Sequence, residues 1–194
     1  MEDYKIMEKL NILYTAIYPY NRFIRRNLPE ILEYFTNDSD SNNITRTYKI
    51  LMDLQSTYPE FYKWYNNKVV LDLKLKRNNR NIFFAVSLVA INDRIERRLT
   101  GIAITKRNFE ESKICTFRVF PEYRKQGVGT ALLKVCFRYL RTNKPLISIS
   151  KDNVKAFQRI IDKYGWERTQ ILPNYYKEGI VEYVYNGKLK KGAF

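Results

Sequence analysis

The segment Val119–Leu133, VFPEYRKQGVGTALL, decides the fold of this chain of 194 residues. An apolar run ends at its start, a basic stretch with two glycines follows, and an apolar helix pattern then resumes. The first N–H groups of a helix have no intrahelical partner, and the helix dipole adds partial positive charge there. Glycines let the backbone approach a ligand closely, while Arg124 and Lys125 add full charges. The segment therefore predicts a loop that binds a phosphate or pyrophosphate.

Two common phosphate-binding signatures do not describe this loop. It lacks the G-x-x-x-x-G-K-[ST] pattern of a Walker loop. It also fails the G-x-G-x-x-G dinucleotide fingerprint, because Leu132 stands at the third glycine position. A G-x-G before a helix also fits a structural turn that binds nothing, so the loop alone leaves both interpretations open.

The chain beyond residue 65 alternates between strand and helix patterns. Period-two alternation and β-branched or aromatic runs predict strands, and apolar residues at helical spacing predict helices. The predicted strands are Val69–Leu75, Asn81–Ile91, Leu99–Thr105, Lys113–Phe120, Pro145–Ser150, Arg168–Leu172 and Gly179–Tyr185, with turns at Arg77–Arg80 and Asn92–Arg98. The predicted helices are Gly127–Arg141 and Asp152–Tyr164. A meander of strands followed by strand–helix–strand–helix order indicates a mixed α/β sheet.

The first part of the chain has a different pattern. Apolar residues at helical spacing predict helices over Tyr4–Ile17, Phe23–Phe35 and Ile44–Leu54, separated by a polar loop at Asn37–Asn43. Pro29 kinks or splits the second of these helices, and Tyr58-Pro59 ends the third. We therefore predict two regions, a helical N-terminal extension over residues 1–65 and an α/β domain over residues 66–194.

Composition excludes several classes of protein. Hydrophobic residues make up 45% and aromatic residues 15% of the chain, enough for a packed core. No apolar run approaches the ~20 residues that span a membrane, and we expect no secretion signal. Cys115 and Cys136 lie in apolar surroundings, so we expect reduced core thiols and a cytoplasmic protein. The chain has no histidine, which excludes Ser-His and Cys-His nucleophiles and a histidine-ligated metal; we predict no metal site.

Positive charge is concentrated in one part of the chain. Residues 1–60 carry 7 Lys and Arg against 9 Asp and Glu, whereas residues 61–194 carry 28 against 11, a balance of +17. The second part should attract a phosphorylated cofactor, a nucleic acid or an acidic protein face. A solvated basic surface without a partner explains the charge equally well.

The pattern around the glycine loop resembles a known superfamily. V-x-P-x-Y-R-x-x-G-x-G-x-x-L-L is similar to the signature of the GNAT superfamily of acyl-CoA-dependent N-acyltransferases, whose R/Q-x-x-G-x-G/A core is matched by Arg124, Gly127 and Gly129. A second segment, PLISIS followed by DNVKA and a helix that ends in YGW, resembles the superfamily's N-x-x-A…G-F/W element. The resemblance covers about Ile82–Tyr185 and leaves out the first 60 residues.

The resemblance implies a fold and a co-substrate. The fold is an α/β GNAT fold, a mixed twisted sheet of about six to seven strands flanked by helices and preceded by an α-helical N-terminal segment. The co-substrate is acetyl-CoA, whose pantetheine arm fills a gap between the superfamily's fourth and fifth strands. The implied cofactor-binding residues are Phe117, Arg118 and Val119 at the strand end, Arg124, Lys125, Gln126, Gly127, Val128, Gly129 and Thr130 in the loop, and Asn153 beside the pantetheine.

Catalytic residues are matched less well. Where many members carry a tyrosine that protonates the departing thiolate, this chain has Ile160 and Ile161. Tyr164 is the nearest tyrosine and the candidate acid, although a packing aromatic at a helix end is the alternative. The carboxylate positions of two superfamily branches hold Ser148 and Lys113 here. We therefore expect Ser148, or backbone carbonyls, to hold a water that removes the proton.

The predicted function is transfer of an acetyl group from acetyl-CoA to an amine of a macromolecular or anionic acceptor, such as a protein, tRNA or another nucleic acid. The alternative is a weakly active or inactive GNAT-fold module that acts through protein or nucleic-acid contacts. The intact glycine loop favours the enzyme. We expect the helical extension to cover one side of the acceptor groove or to form a homodimer interface, and we expect no membrane partner.

Overall fold

The computed structural model describes residues 30–33, 47–75, 77–91 and 94–190, and the side chains of all of these except 30–33, 88–91 and 94–97. The predicted helix Tyr4–Ile17 and the predicted loop Asn37–Asn43 lie outside the described residues. The predicted α/β class is confirmed, with seven strands in the part of the chain that is described.

Two antiparallel sheets form the framework. The first has the order β1-β2-β3-β4, where β1 is Glu30–Glu33, β2 is Asn81–Ile91, β3 is Arg94–Arg107 and β4 is Ser112–Val119. The second has the order β5-β7-β6, where β5 is Ile147–Ser150, β6 is Arg168–Pro173 and β7 is Val181–Tyr185. A parallel bridge between Lys113 and Leu146 joins β4 to the start of β5. The resulting arrangement is mixed, as predicted.

Helices cover both faces of the first sheet. Residues 47–51 form α1, which continues as a 3₁₀ turn over Met52–Ser56. A composite helix that we call α2 is α-helical over Phe61–Trp64, π-helical over Tyr65–Val70 and α-helical over Leu71–Lys74. The predicted pair of later helices is confirmed as α3, Val128–Leu140, and α4, Val154–Tyr164.

The side chains of the central strands alternate between two cores. Phe83, Ala85 and Ala103 face α3 and α4, while Phe84 and Ile102 face α1 and α2. This is the period-two alternation of a sheet covered on both sides. Residues 47–74 therefore build one half of the hydrophobic core, and they are not a loose appendage of the sheet.

A buried ion pair fixes the end of α2 to the start of β2. Arg80 donates from Nε and Nη2 to Asp72 Oδ2, both at 2.8 Å, and Asn78 Nδ2 donates to Asp72 Oδ1 at 3.0 Å. The two charged side chains are 4% and 10% exposed. Removing one partner of such a pair typically costs about 3–5 kcal/mol, because it leaves an uncompensated buried charge.

Three predicted elements are wrong in whole or in part. Val69–Leu75, predicted as a strand, is helical: Val69 and Leu73 are buried four residues apart, while Leu71 and Leu75 are exposed. Every second residue of the apolar alternation, Val69 and then Leu73, is buried, and residues four apart lie on the same face of a helix.

The other two corrections concern strands that form through pairing with β2. Glu30–Glu33, predicted as part of a helix, is strand β1, because it pairs with Phe83–Val86 at the sheet edge. Residues 94–98, predicted as part of a charged turn, belong to β3, because the long β2–β3 ladder continues to the pair Ile91–Arg94.

Candidate functional site

An opening separates β4 from β5 beyond their single described bridge. Ile114 N donates to Leu146 O at 3.0 Å, and Leu146 N donates to Ser112 O at 2.9 Å. The β3–β4 pairing then passes over Cys115, which is an extra residue in β4. Such a bulge bends and twists its strand. Beyond Cys115 the described pairing joins β4 to β3 alone, so the two sheets diverge.

The free edge of β4 presents backbone groups to this opening. Phe120 N donates to Thr100 O on β3 at 3.0 Å, and the backbone groups of successive strand residues point to opposite edges. The N–H groups of Val119 and Phe117 therefore point away from β3. An extended ligand can add to this edge as an extra strand would. The structure thus places two of the three predicted strand-end residues with their backbones at the opening.

Arg118 is oriented differently from its neighbours. Its carbonyl oxygen lies 2.8 Å from where a Cβ on Gly101 would stand, so its backbone faces β3. Its guanidinium forms a bidentate ion pair with Asp53 and lies 5.3 Å from the centre of the Phe120 ring. The side chain of Arg118 therefore contacts the segment after α1.

The glycine loop closes one end of the opening. Lys125 and Gly127 have positive φ angles of 61° and 87°, and Gly127 is the N-cap of α3. No side chain caps this helix end, and its first turn contains no acidic residue. No atom lies within 4 Å of where a Cβ on Gly127 would stand, whereas Gly129 packs with its Cβ position 3.4 Å from Val119 Cγ2. The first N–H groups of α3 therefore face open space beside the end of β4.

The remaining predicted loop residues surround this helix end. Arg124 Nε donates to Val119 O at 3.3 Å, and Gln126 Nε2 donates to Glu122 O at 2.9 Å. Arg124, Lys125, Gln126 and Thr130 are exposed, and Val128 is buried in the core. Uncapped N–H groups, exposed cations and no nearby Cβ fit the diphosphate of a coenzyme A thioester. The binding role of each residue stays a prediction.

Asn153 lies at the start of α4, where β5 ends. It is exposed, and its Nδ2 donates to Ser150 Oγ at 2.7 Å. Its predicted contact with pantetheine requires the amide to remain at this end of β5, which the hydrogen bond to Ser150 favours. That contact stays a prediction.

A cluster of polar side chains lies on the face of β5 opposite to the one that packs against α3 and α4. We call it the Glu182 cluster. Its members are Tyr58, Ser148, Ser150, Tyr176 and Glu182. Ser150 pairs with Glu182 across the β5–β7 ladder, and Ser148 Oγ lies 3.2 Å from Tyr176 Oη. Glu182 is 0% exposed, and its carboxylate oxygens have no hydrogen bond of ordinary geometry among the described residues, although the Tyr58 hydroxyl is close enough to interact with them.

Burial controls the electrostatics of this cluster. It raises the pKa of Glu182 from its ordinary value to about 7, while the nearby Tyr58 hydroxyl acts in the opposite direction. Burial and the charge of Glu182 raise the pKa of Tyr58. Burial also raises the pKa of Tyr176, against the influence of the Ser148 hydroxyl. Near neutral pH the site therefore holds two neutral phenols and one carboxyl group that can give or take a proton.

Two chain segments enclose the Glu182 cluster. The Tyr58 and Tyr176 rings meet edge to face with centres 5.3 Å apart, and Lys177 Nζ donates to Ser56 O at 2.8 Å. Residues 53–58 thus contact β4 through Asp53 and the β6–β7 loop, residues 174–180, through Tyr58 and Ser56. They cross one face of the opening between the two sheets.

The structure brings Ser148, but not Tyr164, to this place. Tyr164 lies at the far end of α4 from Asn153, about 16 Å along the helix. Its ring packs edge to face on Phe137 of α3 with centres 4.9 Å apart. These contacts describe the packing aromatic of the alternative interpretation, and the acid role of Tyr164 stays a prediction without structural support.

Sequence reasoning missed Tyr58, Tyr176 and Glu182. One signal was available: in VEYVY, Glu182 has the same phase as Val184 in an alternating strand, which puts a carboxylate on an inward position. Tyr58 and Tyr176 have no local signal, because only the folded chain brings them to the same strand face.

No helix in the described ranges is long and apolar enough to cross a bilayer. A family model, the acetyltransferase (GNAT) family, matches residues 44–160. No curated protein sequence matches the chain significantly.

Three solved structures are similar to this chain. NAA60 of Arabidopsis thaliana in complex with acetyl-CoA is 18% identical, with a TM-score of 0.54 over 80% of this chain and 96% of that one. The ribosomal-protein-S18-alanine N-acetyltransferase of Escherichia coli is 16% identical, with a TM-score of 0.50 over 80% and 91%. The NatC complex bound to Gag peptide and CoA is 13% identical, with a TM-score of 0.55 over 80% and 96%. At these identities the likeness establishes the fold.

Proposed function

The chain belongs to the acetyltransferase (GNAT) family, and from that premise we propose that it acetylates an amine of a polypeptide, with Glu182 as the proton acceptor. The protein is an acetyl-CoA-dependent acyltransferase. The observation that carries the proposal is the buried carboxyl group of Glu182, which forms no described ion pair, beside the opening between β4 and β5.

Acetyl-CoA supplies an acyl thioester when it is bound. The N–H groups at the start of α3 are suited to the diphosphate, and the free edge of β4 is suited to the extended pantetheine arm. The Val119 N–H, which points away from β3, is positioned to donate to an acyl carbonyl oxygen in the opening. Such a donor stabilises negative charge that develops on that oxygen during acyl transfer.

The acceptor must lose a proton before its nitrogen can attack. An ammonium group has no lone pair, so a general base near the operating pH is needed. Glu182, with a pKa of about 7, is partly ionised at neutral pH and can take that proton through a neighbouring hydroxyl, because its own side chain is 0% exposed. Ser148 and Tyr176, whose hydroxyl oxygens lie 3.2 Å apart, can hold the amine or relay its proton. The nitrogen forms the new amide bond as the thioester C–S bond breaks. The second proton of the nitrogen passes to the departing thiolate, which leaves as CoA thiol.

The chemistry of Glu182 favours a polypeptide amine over a nucleobase amine. An α-amino or lysine side-chain group is cationic near neutral pH and is attracted to a buried carboxylate, whereas the exocyclic amines of nucleobases carry no charge. The walls of the site, residues 53–58 and 174–180, offer tyrosines and backbone groups that suit a peptide chain. Among proteins of this fold, one acetylates an alanine of a ribosomal protein and another is bound to a peptide. These similarities support the proposal.

The test compares three sets of acceptors: short peptides with free N-termini, the same peptides with blocked N-termini and an internal lysine, and tRNA without an attached amino acid. Release of CoA thiol is measured over pH 5–9. We expect turnover with at least one peptide class and none with tRNA. The rate should rise as pH rises through about 7, because Glu182 must be ionised to accept the proton. Glu182→Gln should lower kcat about 100-fold and remove this dependence.

The matched control is Glu167→Gln, which neutralises an exposed carboxylate before β6, outside both walls of the site. It should leave both kcat and the pH profile unchanged. Turnover by Glu182→Gln at the native rate would exclude Glu182 as the base. Acetyl-CoA binding without turnover on any acceptor would favour the binding-module alternative. The boundary at residue 65, the homodimer interface and the cytoplasmic location stay predictions.

A further inference from the structure

One continuous stretch of the chain contains no acidic residue. Between Glu122 and Asp152 the sequence has seven lysines and arginines and no aspartate or glutamate. This stretch includes the glycine loop, all of α3 and β5. The two cations of the glycine loop suit a diphosphate, and the other five lie further along the chain, on α3 and after it.

The cations of α3 form a line on its solvent side. Lys134, Arg138 and Arg141 are exposed and follow one another at spacings of four and three residues. Such residues share one face of a helix, with about 5–6 Å between their Cβ atoms. The opposite side of α3, which includes Leu132, Leu133 and Cys136, is buried in the core.

A second line of cations runs along α4 and the turn before it. Lys151, Lys155, Arg159 and Lys163 recur every fourth residue, and all are exposed. The half-buried apolar residues of α4 pack against the core on the other side of the helix. Contact between the rings of Phe137 and Tyr164 shows that α3 and α4 are neighbours. We call the three cations of α3 and its end, and these four, the basic face.

The basic face is not neutralised within the described part of the chain. Two acidic residues, Asp152 and Asp162, are close to its seven cations, and Asp162 accepts a hydrogen bond from Gln158 at 2.8 Å. None of the seven cations forms a described ion pair. Lys163 Nζ lies 5.4 Å from the centre of the Tyr164 ring, a contact that leaves its charge unneutralised. Seven of the cations that give the chain its net charge of +15 therefore lie in two rows on this face.

We propose that the basic face binds the phosphate backbone of double-stranded RNA. The two rows lie on neighbouring helices, so together they suit the two closely spaced phosphate backbones that border the narrow, deep groove of an A-form duplex. Phosphate contacts of this kind set position without reading sequence. The surface is separate from the Glu182 cluster, and the inference does not depend on the acceptor proposed above.

Other anionic partners fit the face less well. A membrane-binding helix presents exposed apolar side chains beside its cations. The exposed large hydrophobic side chains of the described residues are Met52, Tyr62, Leu71, Leu75, Phe109 and Ile171, and none lies on α3 or α4. Single-stranded nucleic acid is held largely by bases stacked on exposed aromatic rings. Neither helix has a fully exposed aromatic side chain, so a duplex backbone is the better match.

The test measures binding of the full chain to a fluorescein-labelled RNA duplex of about 20 base pairs by anisotropy, from 50 to 300 mM NaCl. The variant Lys134→Gln/Arg138→Gln/Lys163→Gln removes three cations of the basic face. We expect its affinity at 100 mM salt to fall at least 30-fold, and the slope of log Kd against log salt to fall by about three, one for each lost phosphate contact.

The matched control is Lys49→Gln/Lys68→Gln/Lys74→Gln, which removes the same charge from exposed positions on α1 and α2. It should change affinity less than threefold. An equal loss in both variants would overturn the proposal, because net charge alone would then explain binding. Equally tight binding of a DNA duplex of the same sequence would overturn it, as would binding confined to vesicles of anionic lipid.

Two further readouts separate this proposal from the proposed function. The thermal shift with acetyl-CoA should be the same in both triple variants and in the native chain, which shows that each is folded. Failure of every peptide acceptor would refute the acceptor proposal and leave the RNA measurement unaffected. Absence of RNA binding by the native chain would refute the basic-face proposal and leave peptide acetylation unaffected.

Discussion

The two sides of the opening between β4 and β5 are built in opposite ways. The cofactor side comes from one continuous segment, the end of β4 with the loop and first turn of α3, and its binding groups are mostly backbone N–H groups. The other side, the Glu182 cluster, comes from four separate segments, and its functional groups are side-chain hydroxyl and carboxyl groups. A site formed by the backbone of one segment can be predicted from the local sequence. A site formed by side chains from several segments can be identified only once the folded structure is known.

The two sides also differ in energy. The glycine loop exposes cations and uncapped N–H groups to solvent, where they cost the fold little. The Glu182 cluster instead holds a carboxyl group that is fully buried, and its interaction with the Tyr58 hydroxyl offsets only part of the cost of that burial. We therefore expect substitutions on the first side to change ligand binding, and substitutions on the second to change stability in a pH-dependent way.

The largest expected effect is that of Gly127→Glu on the cofactor side. The substitution places a carboxylate at the uncapped end of α3 and a Cβ at a φ of 87°. Acetyl-CoA affinity should fall at least about 100-fold, because negative charge faces the diphosphate at this helix end. Thermal melts measure the loss: the native chain should gain roughly 5–10 °C at ~100 times the dissociation constant, and the variant should gain none.

Gly165→Glu controls for backbone strain. Gly165 also has a positive φ, 58°, and it caps the C-terminal end of α4. The control should lower the melting temperature through the same strain but keep the full acetyl-CoA shift. Loss of the shift in both variants would mean that the glycine loop has no special place in cofactor binding.

A smaller effect is expected from Glu182→Gln on the stability of the fold. Burial raises the pKa of Glu182 from 4.5 to about 7, so between these values the folded chain binds more protons than the unfolded chain. The free energy of unfolding should therefore decrease as pH rises from about 5 to 8, by roughly 2 kcal/mol. In Glu182→Gln this decrease should be absent, and the two melting temperatures should converge near pH 4.5.

Urea unfolding at several pH values measures the difference directly. Glu167→Gln should retain the native dependence, because that carboxylate is exposed. A native chain whose stability did not decrease over pH 5–8 relative to Glu182→Gln would show that Glu182 titrates near its ordinary value. The contrast between the two sides of the opening would then lose its energetic basis.

Much of the fold could be predicted because its signals are local. The run NIFFAVSLVAI formed β2, and the glycine-preceded apolar pattern formed α3 with Gly127 as its N-cap. Gly165 ended α4 in the left-handed conformation, as a glycine at that position predicts. In each case the residues that decide the structure are neighbours in sequence.

The wrong predictions concern segments whose secondary structure depends on contacts with residues far away in the sequence. Val69–Leu75 alternates like a strand, yet the core of α2 and the Asp72–Arg80 ion pair hold it in a helix. The strand Glu30–Glu33 exists through its pairing with β2, and four residues are too few to show a period of their own. Glu182 was missed for the same reason, because its burial depends on β5 and β6 on either side of β7.

The smallest expected effect is that of Asp53→Asn, which tests how firmly residues 53–58 are tied across the opening. Asp53 is paired with Arg118 of β4, and this cation lowers the pKa of Asp53 below its ordinary value. The pair therefore stabilises the fold above pH 3.8, and that contribution is lost as pH falls through the lower folded-state pKa. Because the Asp53 side chain is 60% exposed, we expect Asp53→Asn to cost less than about 1 kcal/mol at pH 7.

Glu60→Gln is the matched control, since Glu60 is equally exposed at 60% but pairs with Lys63 three residues along the chain. It should cost less than Asp53→Asn, because a bidentate pair with a largely buried arginine is stronger than an exposed pair within one helix. Equal losses in the two variants would show that the contact between Asp53 and Arg118 does not hold the segment in place.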